Sequence, residues 1–230
     1  MPKSSPTVPK VENLWIEIGD HRTSAVLLRP RGAWLVYVMA HGAGAGMRHP
    51  FMESMAQALA QRGVATLRYN FPYMEAGRRR PDPQHLAEAT VRSAVAAAAD
   101  VAGGIPLLAG GKSFGGRMTS SAAAGEPLLG VRGIAFLGFP LHAPGKEGTK
   151  RADHLRAIDL PMLFLQGTRD RLARLSLMEV VCRELGRRAT LRIIDGADHS
   201  FKVLKRTGKS TEAVRAELAD AVTDWGLSLE

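Results

Sequence analysis

The chain has 230 residues, 45% hydrophobic and 23% charged, which fits one ordinary globular domain able to bury a sizeable core. It has no apolar run of the roughly 18 residues a membrane span needs, MPKSSPTVPK lacks the apolar stretch of a secretory signal, and the lone Cys182 leaves no disulfide framework or cysteine metal site within the chain. The excess of 31 Lys+Arg over 22 Asp+Glu, a net charge of +9, comes with only 6% aromatics and no nucleic-acid motif, so nucleic acid is not an expected partner and a reducing cytoplasm is the expected compartment.

Residues 1–12 are polar, with Pro2, Pro6 and Pro9, and read as a loose tail before a single domain over 13–230. Strand patterns follow at LWIEI (14–18), SAVLLRP (24–30) and the continuously apolar AWLVYVMA (33–40). PFMESMAQALAQRG (50–63) reads as a helix, with proline at its first position and glycine past its end. VATLRYNF (64–71) is a strand, and the alanine-rich LAEATVRSAVAAAADVA (86–102) is a helix. PLLAG (106–110) is a short strand, and the small-residue segment from Ser113 onward is a helix. GIAFLGFP (133–140) and PMLFLQG (161–167) are strands, LSLMEVVCREL (175–185) a helix and ATLRIID (189–195) the last strand. TEAVRAELADAVTDWGL (211–227) closes the chain as an amphipathic helix, with Ser210 or Thr211 as its N-cap. Early antiparallel-type strands followed by β-α-β alternation predict an α/β fold, a mostly parallel eight-stranded sheet with helices on both faces. Ligands of such sheets bind at the carboxyl ends of the strands.

At one such end stands GGKSFGGR (110–117), where two motifs overlap. A P-loop needs a glycine five positions before its GK pair, and that position is Pro106; the residues between include the strand-forming Leu107, Leu108 and Ala109. A buried strand has no free N–H groups to cradle a phosphate, so the P-loop reading fails. G-K-S-F-G between strand and helix instead fits a nucleophile elbow. Ser113 would adopt a strained backbone, Gly111 and Gly115 would avoid clashes, and the helix N-terminus would favour developing negative charge. The plainer reading is a glycine-rich turn with an incidental serine.

A serine nucleophile needs a base, an orienting acid and an oxyanion hole, here in chain order Ser, Asp/Glu, His, each after its own strand. Asp170 follows PMLFLQG in the run T-R-D, where it could equally be a turn or capping residue. His199 follows ATLRIID in D-G-A-D-H-S-F, where a solvated loop histidine is the alternative. HGAGAG (41–46) follows the strand ending at Ala40 and can present a free N–H. The expected oxyanion donors are the N–H groups of Ala43 and Phe114, with Gly44 the next choice. Four features in four post-strand positions point jointly to serine-hydrolase geometry.

Taken together, HGAGAG, GKSFGGR, LQGTRD and DGADHSF make the chain resemble the α/β-hydrolase superfamily over nearly its whole length, and most of all its small dienelactone-hydrolase-like members without a cap. Within these it is similar to a subgroup related to a scaffold subunit of a chromatin acetyltransferase complex. The resemblance implies the α/β-hydrolase fold, Ser113 as nucleophile, His199 as base and Asp170 as orienting acid. Dienelactone hydrolases proper carry cysteine in the elbow where this chain has serine. Some superfamily members are non-catalytic scaffolds, which is the second functional reading here, and a broken triad would mark it; all three positions are filled.

The expected activity is hydrolysis of a small ester or thioester through an acyl-enzyme. LHAPGKEGTKRADHLRAIDL (141–160) is too short for a cap domain, so the expected site is open and its partner a small acyl substrate. FPYMEAGRRRPDP (71–83) carries Arg78, Arg79 and Arg80, which either dock an anionic substrate group or form a solvated loop. His41, Tyr73 and His142 complete the candidate substrate contacts. Lys112, His49, His85 and His154 read as surface or helix-end groups. There is no H-E-x-x-H pair, cysteine cluster or dinucleotide fingerprint, so neither metal nor cofactor is expected.

Overall fold

The computed structural model describes residues 9–229. β1 (Lys10–Ile18) and β2 (His21–Arg29) form an antiparallel hairpin at one edge of the sheet. On β1 only alternate residues turn inward, ending with the buried Ile16 and Ile18, as an edge strand with one wet face requires. The strand starts inside the segment expected as a tail, because Lys10 and Val11 already pair with Arg29 and Leu28. The remainder of that expectation, residues 1–8, lies outside the described residues.

The remaining strands are β3 (Leu35–Ala40), β4 (Val64–Tyr69), β5 (Leu107–Lys112), β6 (Val131–Leu137), β7 (Met162–Gly167) and β8 (Ala189–Ile194). They join the hairpin in the order β1-β2-β4-β3-β5-β6-β7-β8, with every pairing from β4 to β8 parallel. β3, β4 and β7 are buried along their whole length, which is why β3 is continuously apolar and why the polar residues of the other two, Thr66, Arg68 and Gln166, are buried as well. This is the expected α/β-hydrolase fold.

The helices are α1 (Pro50–Ala60), α2 (Pro72–Glu75), α3 (Gln84–Ala102), α4 (Phe114–Gly125), α5 (Leu175–Leu185) and α6 (Thr211–Leu227). α1 and α6 cover one face, packing Met52, Met55, Val214 and Leu218 against Tyr37 and Leu163. α3, α4 and α5 cover the other, with Val91, Met118 and Met178 among Val38, Phe136 and Phe164. His49 caps α1 by accepting the Phe51 N–H at 3.1 Å. Ser210 rather than Thr211 caps α6, accepting the Ala213 N–H at 3.1 Å.

The strand order reverses around β3. From there the chain leaves to α1 on one face, and from β5 it leaves to α4 on the other. That switch opens a crevice at the carboxyl ends of β3 and β5, where HGAGAG and the GKSFG turn both sit. Between β6 and β7 the chain makes only a short 3-10 segment, Lys150–Ala157, and no cap.

Candidate active site

Ser113 is the single residue between β5 and α4, and its backbone sits at φ 51°, ψ −115°. A side chain in that region costs of order 1–3 kcal/mol and persists only where the surroundings enforce it. Close packing enforces it here. A Cβ on Gly111 would lie 2.1 Å from the carbonyl oxygen of Ala40, and one on Gly115 would lie 2.5 Å from that of His41. Both obstacles are backbone, so only glycine lets the turn press against the end of β3.

The turn aims Ser113 Oγ at His199, whose Nε2 lies 2.8 Å away. On the far side of the ring, Nδ1 lies 2.7 Å from Asp170 Oδ2. A carboxylate only accepts, so Nδ1 carries the proton and Nε2 is left to accept from the serine. The structure thus brings together Ser113, His199 and Asp170 in a serine-histidine-aspartate chain. Asp170 reaches its place because β7 exits beside the loop after β8. Gly167 permits that approach, since a Cβ there would lie 2.3 Å from Ala197 O.

The histidine loop is held independently. Asp198 Oδ1 accepts the N–H groups of Ser200 at 2.8 Å and Lys202 at 2.9 Å. Phe201 takes the unusual φ of 59° and buries its ring in a stack on Phe51, with centroids 5.9 Å apart. Burying such a ring stabilises by about 2–3 kcal/mol, enough to cover the backbone strain.

The HGAGAG loop lies against the elbow: a Cβ on Gly42 would come within 3.8 Å of Ser113 Cβ. Of the three expected oxyanion donors, Ala43 and Phe114 have N–H groups with no hydrogen-bond partner among the described residues. Gly44 is removed from the set, because its N–H donates to Tyr73 Oη at 2.8 Å. Tyr73 is therefore no substrate contact either; it is buried and braces the loop, and burial raises its phenol pKa. His41 is corrected in the same way. Its ring is buried, Nδ1 donates to Gly42 O at 2.7 Å, and Nε2 accepts the Phe71 N–H at 3.2 Å. Burial pushes its pKa down to about 4. Together with Met47 N–H donating to Asn70 Oδ1, these contacts clamp the loop after β3 to the loop after β4.

The other expected substrate contacts fare unevenly. Arg78 pairs at 2.6 Å with Asp82, whose second oxygen accepts the Tyr73 N–H, so its charge holds its own loop. Arg79 and Arg80 are exposed, and among the described residues no hydrogen bond or ion pair ties them to the triad. His142 is buried and accepts the Arg174 N–H on Nε2 at 3.0 Å, so its ring is structural too.

Two residues of the site were not found from the sequence as members of it. Gln166, fully buried on β7, donates to Asp170 Oδ2 and accepts the Phe139 N–H at 3.1 Å. The available signal was a lone amide in the buried run MLFLQG, which must find partners there. Lys112, read as a surface group, is instead half-buried beside the triad. Its Nζ lies 5.6 Å from the Phe201 ring centroid, and burial pushes its pKa down to about 8 against the opposing pull of Asp170 and Asp198.

A second serine-histidine contact, Ser120 Oγ to His154 Nε2 at 2.8 Å, differs in kind. Ser120 is fully buried within α4 and bonds the Arg117 carbonyl at 3.0 Å, and among the described residues no carboxylate hydrogen-bonds His154. Among the described residues, no three His, Cys, Asp or Glu side chains are placed to hold a metal ion.

Comparison with known proteins agrees with this fold. A family model described as "Alpha/beta hydrolase domain" matches residues 34–226. The chain is similar in structure to a dienelactone hydrolase from Anabaena variabilis, with TM-score 0.78 and 21% identity over 96% of this chain and 99% of the other. It is also similar to an α/β serine hydrolase without a lid from Xanthomonas campestris, with TM-score 0.73 and 18% identity over 97% and 98%. A third likeness is to the esterase domain of a Rhodothermus marinus protein, with TM-score 0.69 and 17% identity over 94% and 98%.

Proposed function

The chain belongs to the α/β-hydrolase domain family, and from that premise we propose that it is a serine hydrolase cleaving a small ester or thioester through an acyl-enzyme. The observation that carries the reading is the unbroken hydrogen-bond chain from Ser113 through His199 to Asp170, with Ser113 in a strained elbow. His199 Nε2 takes the Ser113 proton as Oγ attacks the substrate carbonyl. The N–H groups of Ala43 and Phe114 receive the oxyanion. Asp170 keeps the proton on Nδ1 and stabilises the imidazolium. Collapse of the tetrahedral intermediate breaks the bond to the leaving group, which departs with the proton from His199. Water, deprotonated by the same imidazole, then attacks the acyl-serine and releases the acid and the free enzyme.

The lack of a cap between β6 and β7 favours short or exposed acyl groups over a buried lipid chain. The esterase and dienelactone hydrolase among the structural neighbours are consistent with carboxylic-ester chemistry. Labelling with a fluorophosphonate, followed by peptide mapping, tests the reading. One adduct on Ser113, absent from Ser113→Ala, together with a drop in kcat on short acyl esters of about 10⁴-fold in that variant, is the expected result. A folded protein that takes no label leaves the non-catalytic scaffold as the reading.

A further inference from the structure

A cavity of about 540 Å³ opens between α4 and the β6–β7 connection, and it lies outside the triad. Its wall carries Arg117 from the elbow helix, and Lys146, Lys150 and Arg151 from the connection. Among the described residues none of these four cations pairs with a carboxylate, and the one acidic residue of the wall, Glu147, is bound to Arg174. The Arg117 side chain is half-buried yet makes no hydrogen bond among the described residues. Burial, then the charge of Arg151, makes its protonated form harder to keep. Like charges gathered around a concavity repel one another, and an anion in the middle relieves that repulsion. Gln84 and Ser121, on the same wall, spend their donors on Glu88 and on each other, so the cations alone face the cavity with unused N–H groups.

The wall is joined to the triad through the backbone. The Arg117 N–H donates to Ser113 O at 3.1 Å, the His142 N–H to Leu172 O at 2.9 Å, and the Leu172 N–H to Asp170 Oδ1 at 2.7 Å. We propose that this cavity is a binding site for a phosphate-bearing small molecule, held by Arg117 and Arg151 with Lys146 and Lys150 at the mouth. Phosphate rather than carboxylate is assigned because four unpaired cations exceed what one carboxylate neutralises, and because guanidinium pairs grip phosphate oxygens in a fork. The site stands independently of the hydrolase reading.

Calorimetry with inorganic pyrophosphate tests it, using wild type, Arg117→Gln/Arg151→Gln and, as a control for general surface charge, Arg79→Gln/Arg80→Gln. The expected result is one site in wild type, weakened by added salt, at least about tenfold weaker in the cavity variant and unchanged in the control. Ser113→Ala is expected to bind like wild type, so a failed hydrolase reading does not touch this one. Circular dichroism of the cavity variant shows whether it is folded, and Lys146→Gln/Lys150→Gln gives a second, surface-only variant with the same expected direction. No saturable binding to wild type overturns the proposal, as does equal weakening in the Arg79/Arg80 control. Succinate binding as tightly as pyrophosphate overturns the phosphate assignment.

Discussion

Gln166, at the buried end of β7, is joined to Asp170 in the loop that follows: the amide of Gln166 donates to Asp170 Oδ2, the oxygen that also accepts the His199 ring N–H. The same amide accepts the Phe139 N–H at 3.1 Å, so one side chain fixes the carboxylate and ties it to the loop after β6. Gln166 is a positioning residue, acting on His199 only through Asp170. Gln166→Leu strands the Phe139 N–H and takes one hydrogen bond from a carboxylate. The expected cost is about 1–3 kcal/mol of stability and about 10- to 100-fold in kcat. Urea melts and ester kinetics on the same preparation would read both, and an unchanged kcat would remove the positioning role.

The elbow makes a steric prediction. Gly111→Ala and Gly115→Ala each push a methyl into backbone atoms of the β3 end, at 2.1 Å and 2.5 Å, with no flexible side chain to give way. Each is expected to lose more than about 3 kcal/mol or fail to fold. Gly125→Ala, at the end of the same helix, meets nothing within 4 Å and is expected to stay within about 1 kcal/mol of wild type. Denaturant midpoints decide it, and a stable Gly111→Ala would contradict the described turn.

His41 makes the fold acid-sensitive. Protonation would set an N–H at Nε2 against the N–H of Phe71 in a fully buried ring, and burial holds the folded pKa near 4. The unfolded pKa is about 6.5, so below it the unfolded chain binds a proton that the folded chain refuses. Stability is therefore expected to fall as pH drops from about 6.5 to about 4, by roughly 3 kcal/mol from this residue. Melting curves across that window should show a shallower fall in His41→Asn, even if that variant is less stable at pH 7. Parallel curves would rule out His41 as the cause.

Lys112 predicts the opposite end of the scale. Its folded pKa of about 8 lies below the ordinary 10.5, through burial first and the charge of Arg215 last, with Asp170 and Asp198 opposing. The unfolded chain holds the extra proton between those two values, so wild-type stability is expected to rise with pH across that window. Lys112→Met is expected to be more stable than wild type at pH 7 and to lack the rise. Denaturant titrations at pH 7 and pH 9.5 test both, and a variant less stable at pH 7 would mean that the charge is favourable where it stands.

Much of the architecture was legible because local physics and tertiary structure agreed. α5 and α6 run over the expected residues, since each carries an apolar face or a serine cap that specifies its own limits. The buried strands announced themselves as apolar runs closed by glycine or proline. α2, four residues long, is shorter than any helical period can register, and β1 started early because pairing with β2 recruits polar residues that have no strand pattern of their own.

The candidate site divides along the same line. Ser113, Asp170 and His199 could be picked out because each stands in the loop or turn that follows a strand, and a parallel sheet delivers all such positions to one edge. The sequence by itself determined the strands, the turn chemistry of the elbow and the order of the three residues, since these follow from short-range sterics and periodicity. Only the tertiary structure decided which neighbours are engaged elsewhere: Tyr73 takes the N–H of Gly44, Phe71 takes the free nitrogen of His41, and Asp82 takes Arg78. Whether a polar group is free for a ligand depends on partners brought from distant loops and on the water they exclude, and neither is written in the residues beside it.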